Sequence, residues 1–459
     1  KIIEKAGVEA YLVGGCVRDL LLGRKPNDWD ITTSGLPEQI EDIFDNLEGY
    51  RTEGTGKKHG TITVICYLED ETACYEVTTY RIDGEYSDSR HPDEVSFTRS
   101  LIEDLKRRDF TINAIAMDGT GKLEDPLGGK KDMENKIIKA VGNPAARFSE
   151  DALRILRGVR FEAQLKNLGF AMDDVTAKAM LAGKNELAKV SVERIQVELN
   201  KILLSSGTSY VLRKYREIIG FIIPELSESF DFDQQNPYHC YDVYEHILHA
   251  VDGVECIEDE EEYLIVRLAA LFHDVGKPKC FLVKNGKGHF YGHEKVSARM
   301  AETILKRLKY SKKIIEDVTF LVEKHGTVFK VSEQYAKRKL NQMGEERLRM
   351  LIALERGDVS AQAIKLLDTG EDIRYARIEN INNFEKCVQK VVDEATCFSL
   401  ASLAINGKDI INAGAKEGPE IGKILNEVLE KVIEGKLPNE RGALLSEVKK
   451  KLTDYSLYS

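Results

Sequence analysis

The sequence predicts an α+β protein in which an N-terminal head with a mixed sheet precedes a long, all-helical neck, body and tail. Over residues 1 to about 125, short runs of β-branched and aromatic residues alternate with helical segments, and Thr61–Tyr67 and Tyr75–Tyr80 are the clearest strands. From about residue 147 the pattern is helical to the end of the chain. We place one helix start at Ser149, an N-cap residue, with Glu150 and Asp151 in the first turn.

The composition is that of an ordinary soluble protein. The 459 residues suggest two to four domains, and 42% of them are hydrophobic, which is ample for buried cores. No apolar run reaches the length of about 18 residues that a membrane-spanning helix needs, and residues 1–10 are too charged for a signal peptide. The eight cysteines form no C-x-x-C pair, so we expect reduced thiols and a cytoplasmic location. A net charge of −11 argues against a general binder of polyanions but leaves room for a local basic groove.

The most informative segment is a glycine pair followed by two nearby carboxylates. An apolar run ends at Gly14 and Gly15, a short helix with Arg18 follows, and Asp28 and Asp30 come next. On a strand, residues i and i+2 point to the same face, so the two carboxylates can hold a hard divalent cation. The glycines let backbone N–H groups approach a phosphate closely. A phosphate-binding glycine pair beside a metal-binding carboxylate pair indicates nucleotidyl transfer.

Three further features strengthen this interpretation. Glu76 is an acidic residue in a strand otherwise rich in Val and Thr, although a strand residue that faces solvent would look the same. Residues 107–114 place charged and amide groups directly before what we expect to be an apolar helix. Arg154, Arg157 and Arg160 are spaced i, i+3 along one helix face, which is also the pattern of an exposed, salt-bridged surface.

Taken together, these residues resemble the class II CCA-adding tRNA nucleotidyltransferases and the related bacterial poly(A) polymerases. The resemblance covers almost the whole chain, and so many motifs in the same order are far more specific than any one of them. The matching stretches are G-G-x-V-R-D at 14–19, Asp28 and Asp30, Tyr86, Asp88, Arg90, His91 and Pro92, R-R-D-F-T-I-N-A at 107–114, Asp125–Gly129, Val141–Pro144, Arg147 and Phe148, E-D-x-x-R at 150–154, Ser191–Ile195, and Glu198 and Leu199.

This resemblance implies a two-metal reaction in which a 3′-hydroxyl attacks the α-phosphate of a nucleotide and pyrophosphate leaves. Asp28 and Asp30 would hold Mg²⁺, which suits an all-oxygen site shared with phosphates. Glu76 is our assignment for the third carboxylate, made from its strand context. The resemblance further implies nucleotide-binding residues, with Gly14, Gly15 and Arg18 on the triphosphate, and with Arg108, Asp109 and Asn113 on the ribose and phosphates.

The helix that begins near residue 150 can select the base by hydrogen-bond polarity. Asp151 offers only acceptors and Arg154 only donors, which matches the amino group and ring acceptors of cytosine and adenine. Uracil and guanine present the opposite polarity, so buried charges would stay unpaired. We therefore expect Glu150, Asp151, Arg154 and Arg157 to bind the nucleotide, and CTP and ATP to be the substrates together with tRNA.

Histidines are concentrated in the middle of the chain, where seven of the nine lie between residues 239 and 325. His246, His273 and Asp274 resemble the ligands of HD-family metal-dependent phosphohydrolases, as does the context L-F-H-D-V-G-K-P at 271–278. Such a ligand set suits Mn²⁺, Ni²⁺ or Co²⁺. A further carboxylate ligand is open, with Asp317 as one candidate. A helical module that keeps this pattern without binding metal is the alternative.

We expect four domains: a catalytic head at 1–146, a base-recognising neck at 147–230, an HD-type helical domain at 231–330, and a tRNA-contacting body and tail at 331–459. In the tail, basic residues between 423 and 451 are candidates for contact with tRNA phosphates. The predicted activity is CCA addition to tRNA. A poly(A) polymerase, an enzyme that adds only C or only A, and a phosphohydrolase acting on RNA ends or nucleotides stay open as alternatives. The sequence does not determine the oligomeric state, and we expect no membrane partner.

Overall fold

The computed structural model describes residues 1–67, 72–83, 95–235, 240–362, 372–394 and 397–456. Residues 86, 88, 90, 91 and 92 of the family pattern lie outside this part, as does His239. The chain divides into two compact units, one formed by residues 1–227 with 307–309 and the other by residues 228–306 with 310–459. No helix among the described residues is both long and apolar enough to cross a membrane.

The first unit contains most of the strands, and seven of them form one mixed sheet in the order β3-β4-β5-β2-β1-β8-β9. β2 pairs with β5 in parallel, whereas its other neighbour, β1, is antiparallel. The strands of the first unit are β1 (Ala10–Val13), β2 (Asp30–Thr33), β3 (Tyr50–Glu53), β4 (Thr61–Tyr67), β5 (Thr72–Thr79), β6 (Arg81–Asp83), β7 (Val95–Phe97), β8 (Ala116–Met117), β9 (Leu123–Glu124), β10 (Ile137–Ile138) and β11 (Ala171–Met172).

The helices of the first unit cover the sheet and continue beyond it, so the mixed-sheet head followed by helices is confirmed. They are α1 (Ile2–Lys5), α2 (Gly15–Leu21), α3 (Pro37–Asp45), α4 (Leu101–Lys106), α5 (Gly129–Glu134), α6 (Pro144–Glu150), α7 (Leu153–Leu165), α8 (Asp174–Ala182), α9 (Val192–Leu203), α10 (Thr208–Lys214), α11 (Arg216–Ile222) and α12 (Pro224–Ser227). Ile40 and Phe44 of α3 pack on Ile62, Val64 and Val77 of the sheet, which forms one apolar core of the head.

Two local predictions in the head are wrong. Asp28 does not lie on a strand: β2 begins at Asp30, and Asp28 is an exposed residue in the preceding bend. Residues 111–113 form a 3-10 turn rather than opening an apolar helix, and β8 follows and pairs with β1. A buried run this short is ambiguous between helix and strand, and here pairing with a neighbouring strand decides.

The predicted helix start at Ser149 is also wrong. Ser149 lies inside α6, which begins at Pro144 with Asn143 as its N-cap, because the Asn143 side chain accepts a hydrogen bond from the N–H of Ala146 at 3.1 Å. Asn-Pro is a stronger start signal than a lone serine, since proline suits the first helical position. The chain then turns at Asp151 before α7, whose Leu153 N–H donates to the Asp151 side chain at 3.0 Å.

The second unit is helical apart from a hairpin of β12 (Leu282–Lys284) and β13 (Lys287–His289). Its helices are α13 (Val243–Gly253), α14 (Glu260–Phe272), α15 (Lys277–Cys280), α16 (His293–Arg307), α17 (Lys312–Lys324), α18 (Glu333–Met343), α19 (Glu345–Ser360), α20 (Ile373–Asp393), α21 (Gly407–Asn412), α22 (Pro419–Ile433) and α23 (Arg441–Ser456). Helix α14 packs against α13, α17 and α19 around a buried apolar core, and α21 to α23 share a separate core near the end of the chain.

Candidate functional site

Asp30 and Glu76 lie side by side on two adjacent interior strands of the head sheet. They are register partners in the parallel pair of β2 and β5, so their side chains project from the same face. Burial raises the pKa of Glu76, and the charges of Asp30 and Asp28 raise it further. Burial likewise raises the pKa of Asp30, with Arg108 opposing the shift and Asp28 adding to it. Three carboxylates that repel one another in this way favour a bound cation.

Gly14 brings the backbone close to these groups. It has φ +83°, and a Cβ added there would lie 3.2 Å from Nη1 of Arg108 and 3.3 Å from Oδ2 of Asp30. Any larger residue would be strained and would crowd both charged groups. The same glycine precedes α2, which carries Arg18. The glycine pair therefore lies between the carboxylate of Asp30 and helix α2, which carries Arg18.

A chain of hydrogen bonds links four of the predicted nucleotide-binding residues. Arg18 Nη1 donates to Asn113 Oδ1 at 2.9 Å, and Asn113 Nδ2 donates to Asp109 Oδ1 at 3.1 Å. Arg157 Nε donates to the other oxygen of Asp109 at 2.7 Å. Burial alone would raise the pKa of Asp109, but the charge of Arg157 and the hydrogen bond from Asn113 outweigh it and hold that pKa well below its usual range. Asp109 is thus ionised, and it orients the amide group of Asn113 and the guanidinium group of Arg157.

Phe161 of α7 is a residue that the sequence analysis missed. The guanidinium groups of Arg18, Arg157 and Arg160 lie 5.1, 5.4 and 4.5 Å from the centre of its ring. Stacking of this kind holds arginines that would otherwise repel one another. Arg160 also lies 3.3 Å from Glu198 and is 7% exposed, so the i, i+3 arginines do not form a solvated salt-bridged face. The i, i+4 spacing of Phe161 from Arg157 was the available signal for this contact.

Asp151 and Arg154 are both held by neighbours. Asp151 Oδ2 accepts a hydrogen bond from Arg194 Nη2 at 3.0 Å, and Arg154 Nη1 donates to Glu150 Oε2 at 2.8 Å. Arg154 Nη2 also donates to the carbonyl of Arg107 at 2.9 Å. The sequence indicates Arg194 only as part of the family pattern. In the structure, its side chain orients Asp151. Its Nη1 is buried and makes no hydrogen bond to the described residues.

In the second unit, His246 and His273 converge with two aspartates. His246 comes from α13, while His273 and Asp274 directly follow α14. The Nε2 atoms of the two histidines lie 3.3 Å apart, and each is 3.2 Å from Oδ2 of Asp274. Asp358 of α19 completes this group, with Oδ1 at 3.0 Å from His246 Nε2.

The further carboxylate beside His246 and His273 is that of Asp358, not that of Asp317. Asp317 pairs with Arg347 at 2.7 Å and belongs to neither of the two potential metal-binding groups among the described residues. Asp358 is 84 residues beyond Asp274 in sequence (358 − 274), so no spacing rule could have found it. His293 and His325 also reach Asp274, at 3.2 and 3.7 Å from its Oδ1.

Most of these groups are buried, and they border a cavity. Burial alone would lower the pKa of His273, but Asp274 and Asp358 outweigh it and raise the pKa to about 10. The histidines in turn hold the pKa of Asp358 well below its usual range against the effect of burial. The adjoining cavity has a volume of about 380 Å³, and Lys277 and Arg377 are among its lining residues. The group therefore combines imidazole and carboxylate donors with access for a ligand.

Several of the tail cations expected to contact tRNA already have carboxylate partners within the chain. Lys431 pairs with Glu447 at 2.5 Å, and Lys436 pairs with Glu434 at 2.7 Å. Arg441 lies 2.5 Å from Asp409. Contact with phosphates would have to compete with these pairs, so the tail's role stays a prediction.

Three family models match separate stretches of the chain. The model described as "Poly A polymerase head domain" matches residues 10–139. The model described as "Probable RNA and SrmB- binding site of polymerase A" matches residues 169–229. A model for tRNA nucleotidyltransferase domain 2 matches residues 293–448. The first match contains Asp28, Asp30 and Glu76, and the third contains His293, His325 and Asp358.

Relatives that resemble the chain over nearly its whole length carry one description. A CCA-adding enzyme of Enterococcus faecalis is 35% identical over 98% of this chain and 93% of its own length. A CCA-adding enzyme of Streptococcus gordonii is 34% identical over 98% and 95%. Among solved structures, the CCA-adding enzyme of Bacillus stearothermophilus in complex with CTP covers 100% of this chain and 97% of its own, with 27% identity and a TM-score of 0.70.

Proposed function

Because the chain belongs to the family of CCA-adding enzymes, we propose that it adds C, C and A to the 3′ end of tRNA from CTP and ATP without a nucleic-acid template. The observation that carries the proposal is the position of Asp30 and Glu76, which are register partners on adjacent interior strands, with Gly14 beside Asp30. Two of the similar solved structures are complexes with CTP and with tRNA, respectively. A tRNA substrate places the proposed activity in the cytoplasm.

We expect Asp28, Asp30 and Glu76 to hold a divalent metal, with Mg²⁺ as the ion. Unlike the two histidine-containing groups of the second unit, their carboxylate oxygens do not all lie within 4.8 Å of one another. Their oxygens are hard donors, and burial, together with the charge of Asp28, raises the pKa of both Asp30 and Glu76. Mg²⁺ bound there would lower the pKa of the attacking 3′-hydroxyl and neutralise charge on the leaving pyrophosphate. The chain's own part is to hold Asp30 and Glu76 on one face of the sheet, with Asp28 in the bend that leads into β2.

The triphosphate is expected to meet the arginines around Gly14 and Gly15. Arg108 lies beside Asp30, and its Nε is buried without a hydrogen bond to any described residue, which leaves a donor for an anion. Arg18 is held by Asn113 and stacks on Phe161, so it is already oriented. The chain Arg18–Asn113–Asp109–Arg157 then keeps the cationic groups in place without a bound nucleotide.

Base choice is assigned to Asp151 and Arg154, with Glu150 and Arg194 as positioning residues. Asp151 presents acceptors to the amino group of cytosine or adenine, and Arg154 presents donors to their ring acceptors. Glu150 orients Arg154 and Arg194 orients Asp151. A base with the opposite hydrogen-bond polarity leaves these charges unpaired. Its incorporation should therefore be several-fold to many-fold less efficient than that of C or A.

The test is an end-sequencing assay. Purified protein is incubated with tRNA lacking its last three nucleotides, first with each nucleoside triphosphate singly and then with the mixture. We expect C, C and A in order and then termination. A long run of A on any RNA would identify a poly(A) polymerase, and addition of only C or only A would identify a partial enzyme. No incorporation at all would overturn the proposal.

We assign a second activity, hydrolysis of a phosphate ester, to His246, His273 and Asp274 as HD-type metal ligands. The observation that favours it is the convergence of two imidazoles and Asp358 on Asp274 beside a cavity of about 380 Å³. In this reaction, a water oxygen bonds to phosphorus, the bond to the ester oxygen breaks, and a water proton ends on that oxygen. Mn²⁺, Ni²⁺ or Co²⁺ would supply the Lewis acid.

This second activity is tested with phosphomonoesters and 2′,3′-cyclic phosphates across Mn²⁺, Ni²⁺ and Co²⁺. We expect hydrolysis that disappears in His273→Ala while nucleotide addition persists. Absence of hydrolysis with every metal would leave the cluster a structural element. In the division of labour we propose, residues 1–146 carry catalysis, 147–230 base recognition, 231–330 the HD-type site together with later residues, and 331–459 contact with tRNA.

A further inference from the structure

Asp104 is a buried carboxylate of the head that lies next to the proposed nucleotide site. It belongs to helix α4, and its side chain has no exposed surface. Taking a carboxylate out of water carries a desolvation cost that an apolar residue at the same place would not have. The contacts of Asp104 indicate a role for this charge besides stability.

The two oxygens of Asp104 contact different parts of the head. Oδ2 accepts a hydrogen bond from Oγ1 of Thr32 at 3.0 Å, and Thr32 follows Asp30 by two residues on β2. Oδ1 accepts hydrogen bonds from Nε of Arg107 at 2.9 Å and from the backbone N–H of Arg81 at 3.3 Å. Asp104 thus connects the strand that carries Asp30 to the segment that begins at Arg107.

Arg108, the next residue of that segment, lies between Asp104 and Asp30. Its Nη2 is 3.6 Å from Oδ2 of Asp104. Its Nη1 is 3.2 Å from a Cβ built on Gly14, a point that is 3.3 Å from Oδ2 of Asp30. Because 3.6 Å is too long for a hydrogen bond, Asp104 acts on Arg108 through charge and leaves its N–H donors available to an anion.

Two carboxylates therefore attract one guanidinium group. The charge of Arg108 opposes the rise in the pKa of Asp30 that burial causes, so these two residues are electrostatically coupled. An arginine that paired closely with Asp30 would be withdrawn from the phosphates. Asp104 attracts a different nitrogen of the same group, and this attraction opposes a close pairing of Arg108 with Asp30.

We propose that Asp104, supported by Thr32 on β2, is a positioning residue that directs Arg108 toward the triphosphate of the incoming nucleotide. This inference rests on the proposed nucleotide addition and adds to it a residue that touches neither the nucleotide nor a metal. Since CTP and ATP share the triphosphate, the contribution of Asp104 is independent of the base. It affects nucleotide affinity rather than the chemical step, which depends on Asp30 and Glu76.

The test separates nucleotide affinity from turnover in D104N, a variant that keeps the size of the side chain but loses its charge. Calorimetry at neutral pH measures the dissociation constants of CTP and ATP for the full chain without tRNA. Steady-state assays with tRNA lacking its last three nucleotides give KM and kcat for CTP. We expect both dissociation constants and KM to rise by about tenfold, with kcat within about threefold of the parent value.

Thr32 offers a milder pair of variants that keep the charge of Asp104. T32V removes the hydroxyl that donates to Oδ2 of Asp104, and it should raise the dissociation constants of CTP and ATP by about threefold. T32S keeps a hydroxyl and should restore values near those of the parent. If D104N does not fold, this pair decides.

D317N is the matched control for loss of a buried ion pair. Asp317 is 5% exposed and accepts a hydrogen bond from Nε of Arg347 at 2.7 Å, but it belongs to the second unit. This variant should leave CTP affinity unchanged. An equal loss of CTP affinity in D317N would attribute the effect of D104N to general destabilisation and would overturn the role of Asp104.

The remaining outcomes distinguish the two proposals. Unchanged CTP affinity in D104N, or a fall in kcat without a rise in KM, would overturn the role of Asp104 and leave nucleotide addition standing. If T32S weakened CTP binding as much as T32V, the hydroxyl would not be the cause, and the support from Thr32 would fail. No nucleotide addition by the parent protein would overturn the proposed function itself.

Discussion

The head and the second unit both bury charged side chains, but they balance the charge differently. In the head, carboxylates meet guanidinium groups, as in the pairs of Asp109 with Arg157 at 2.6 Å and Asp104 with Arg107 at 2.8 Å. In the second unit, Asp274 and Asp358 face imidazoles, which are cationic only when protonated. The head therefore offers arginines to an anion beside its own carboxylates, and the cluster offers buried carboxylates and imidazoles to cations.

The two regions also differ in how the chain assembles them. In the head, the register of two adjacent strands sets Asp30 beside Glu76. The cluster comes from α13, α14, α16, α17 and α19, or from residues directly beyond their ends. Register within a sheet is a local rule, whereas convergence of five helices depends on the packing of the whole unit.

The largest expected effect is on the head carboxylates. Asp30→Ala should lower nucleotide addition by about 10³-fold or more, roughly 4 kcal/mol in the activation barrier, because a metal ligand is lost. Binding of tRNA should stay near that of the parent. The matched control is Asp42→Ala, an exposed aspartate on α3, which should leave addition unchanged. A tenfold loss or less in Asp30→Ala would be too small for a metal ligand.

Removing metal should lower the free energy of unfolding of the second unit, which contains the cluster. Free Mn²⁺ at about 100 times its dissociation constant should stabilise the cluster by about 2.7 kcal/mol per ion, because a folded site binds and an unfolded chain does not. The measurement is chemical unfolding followed by circular dichroism, with and without chelator. In a protein that carries Asp28→Ala and Asp30→Ala, H273Q should reduce the stabilisation by metal and H289Q should keep it. An equal effect of metal on H273Q would place the bound ions elsewhere.

A pH experiment probes the arginine-paired side of the comparison. Burial would raise the pKa of Asp104, but Arg107 and Arg108 outweigh it and lower that pKa below its usual value. The stabilisation is therefore fully present above the unfolded pKa of about 3.9 and is lost as the pH falls through the folded pKa. Asp104→Asn should cost about 2 kcal/mol at neutral pH.

The difference between wild type and Asp104→Asn should be constant above about pH 5 and shrink below about pH 4. Trp29, the only tryptophan in the chain, reports on the head through its fluorescence. A difference that persists undiminished under acidic conditions would mean that the variant acts through packing rather than through charge.

The smallest expected effect is on base selection. Asp151→Ala should raise incorporation of U or G relative to C and A by about tenfold, or about 1.4 kcal/mol, because the acceptor that reads the amino group is lost. Arg194→Ala should shift selection in the same direction by less, since Arg194 positions Asp151. Single-nucleotide assays measure both, and Arg194→Lys should restore part of the selectivity. Unchanged selectivity in Asp151→Ala would make this segment structural.

Local patterns predicted the fold class and several elements well. The strand Thr61–Tyr67 matches its predicted bounds, because alternating β-branched residues signal a half-buried strand directly. The helix start at Ser149 failed because Asn143 and Pro144 outcompeted it as a cap. Asp28 was placed on a strand that begins only at Asp30, which shows that an i, i+2 pattern indicates shared direction only where strand pairing extends that far.

By itself, the sequence determined the α+β architecture, the glycine pair beside the acidic pair, and the histidine-rich segment, because these depend on residue type and short spacing. Only the tertiary structure decided that Asp358, rather than Asp317, joins His246 and His273, and that His293 and His325 face the other oxygen of Asp274. It likewise decided that Phe161 gathers three arginines. The physical reason is that helix packing brings together residues far apart in the chain, and no local periodicity records which faces will meet.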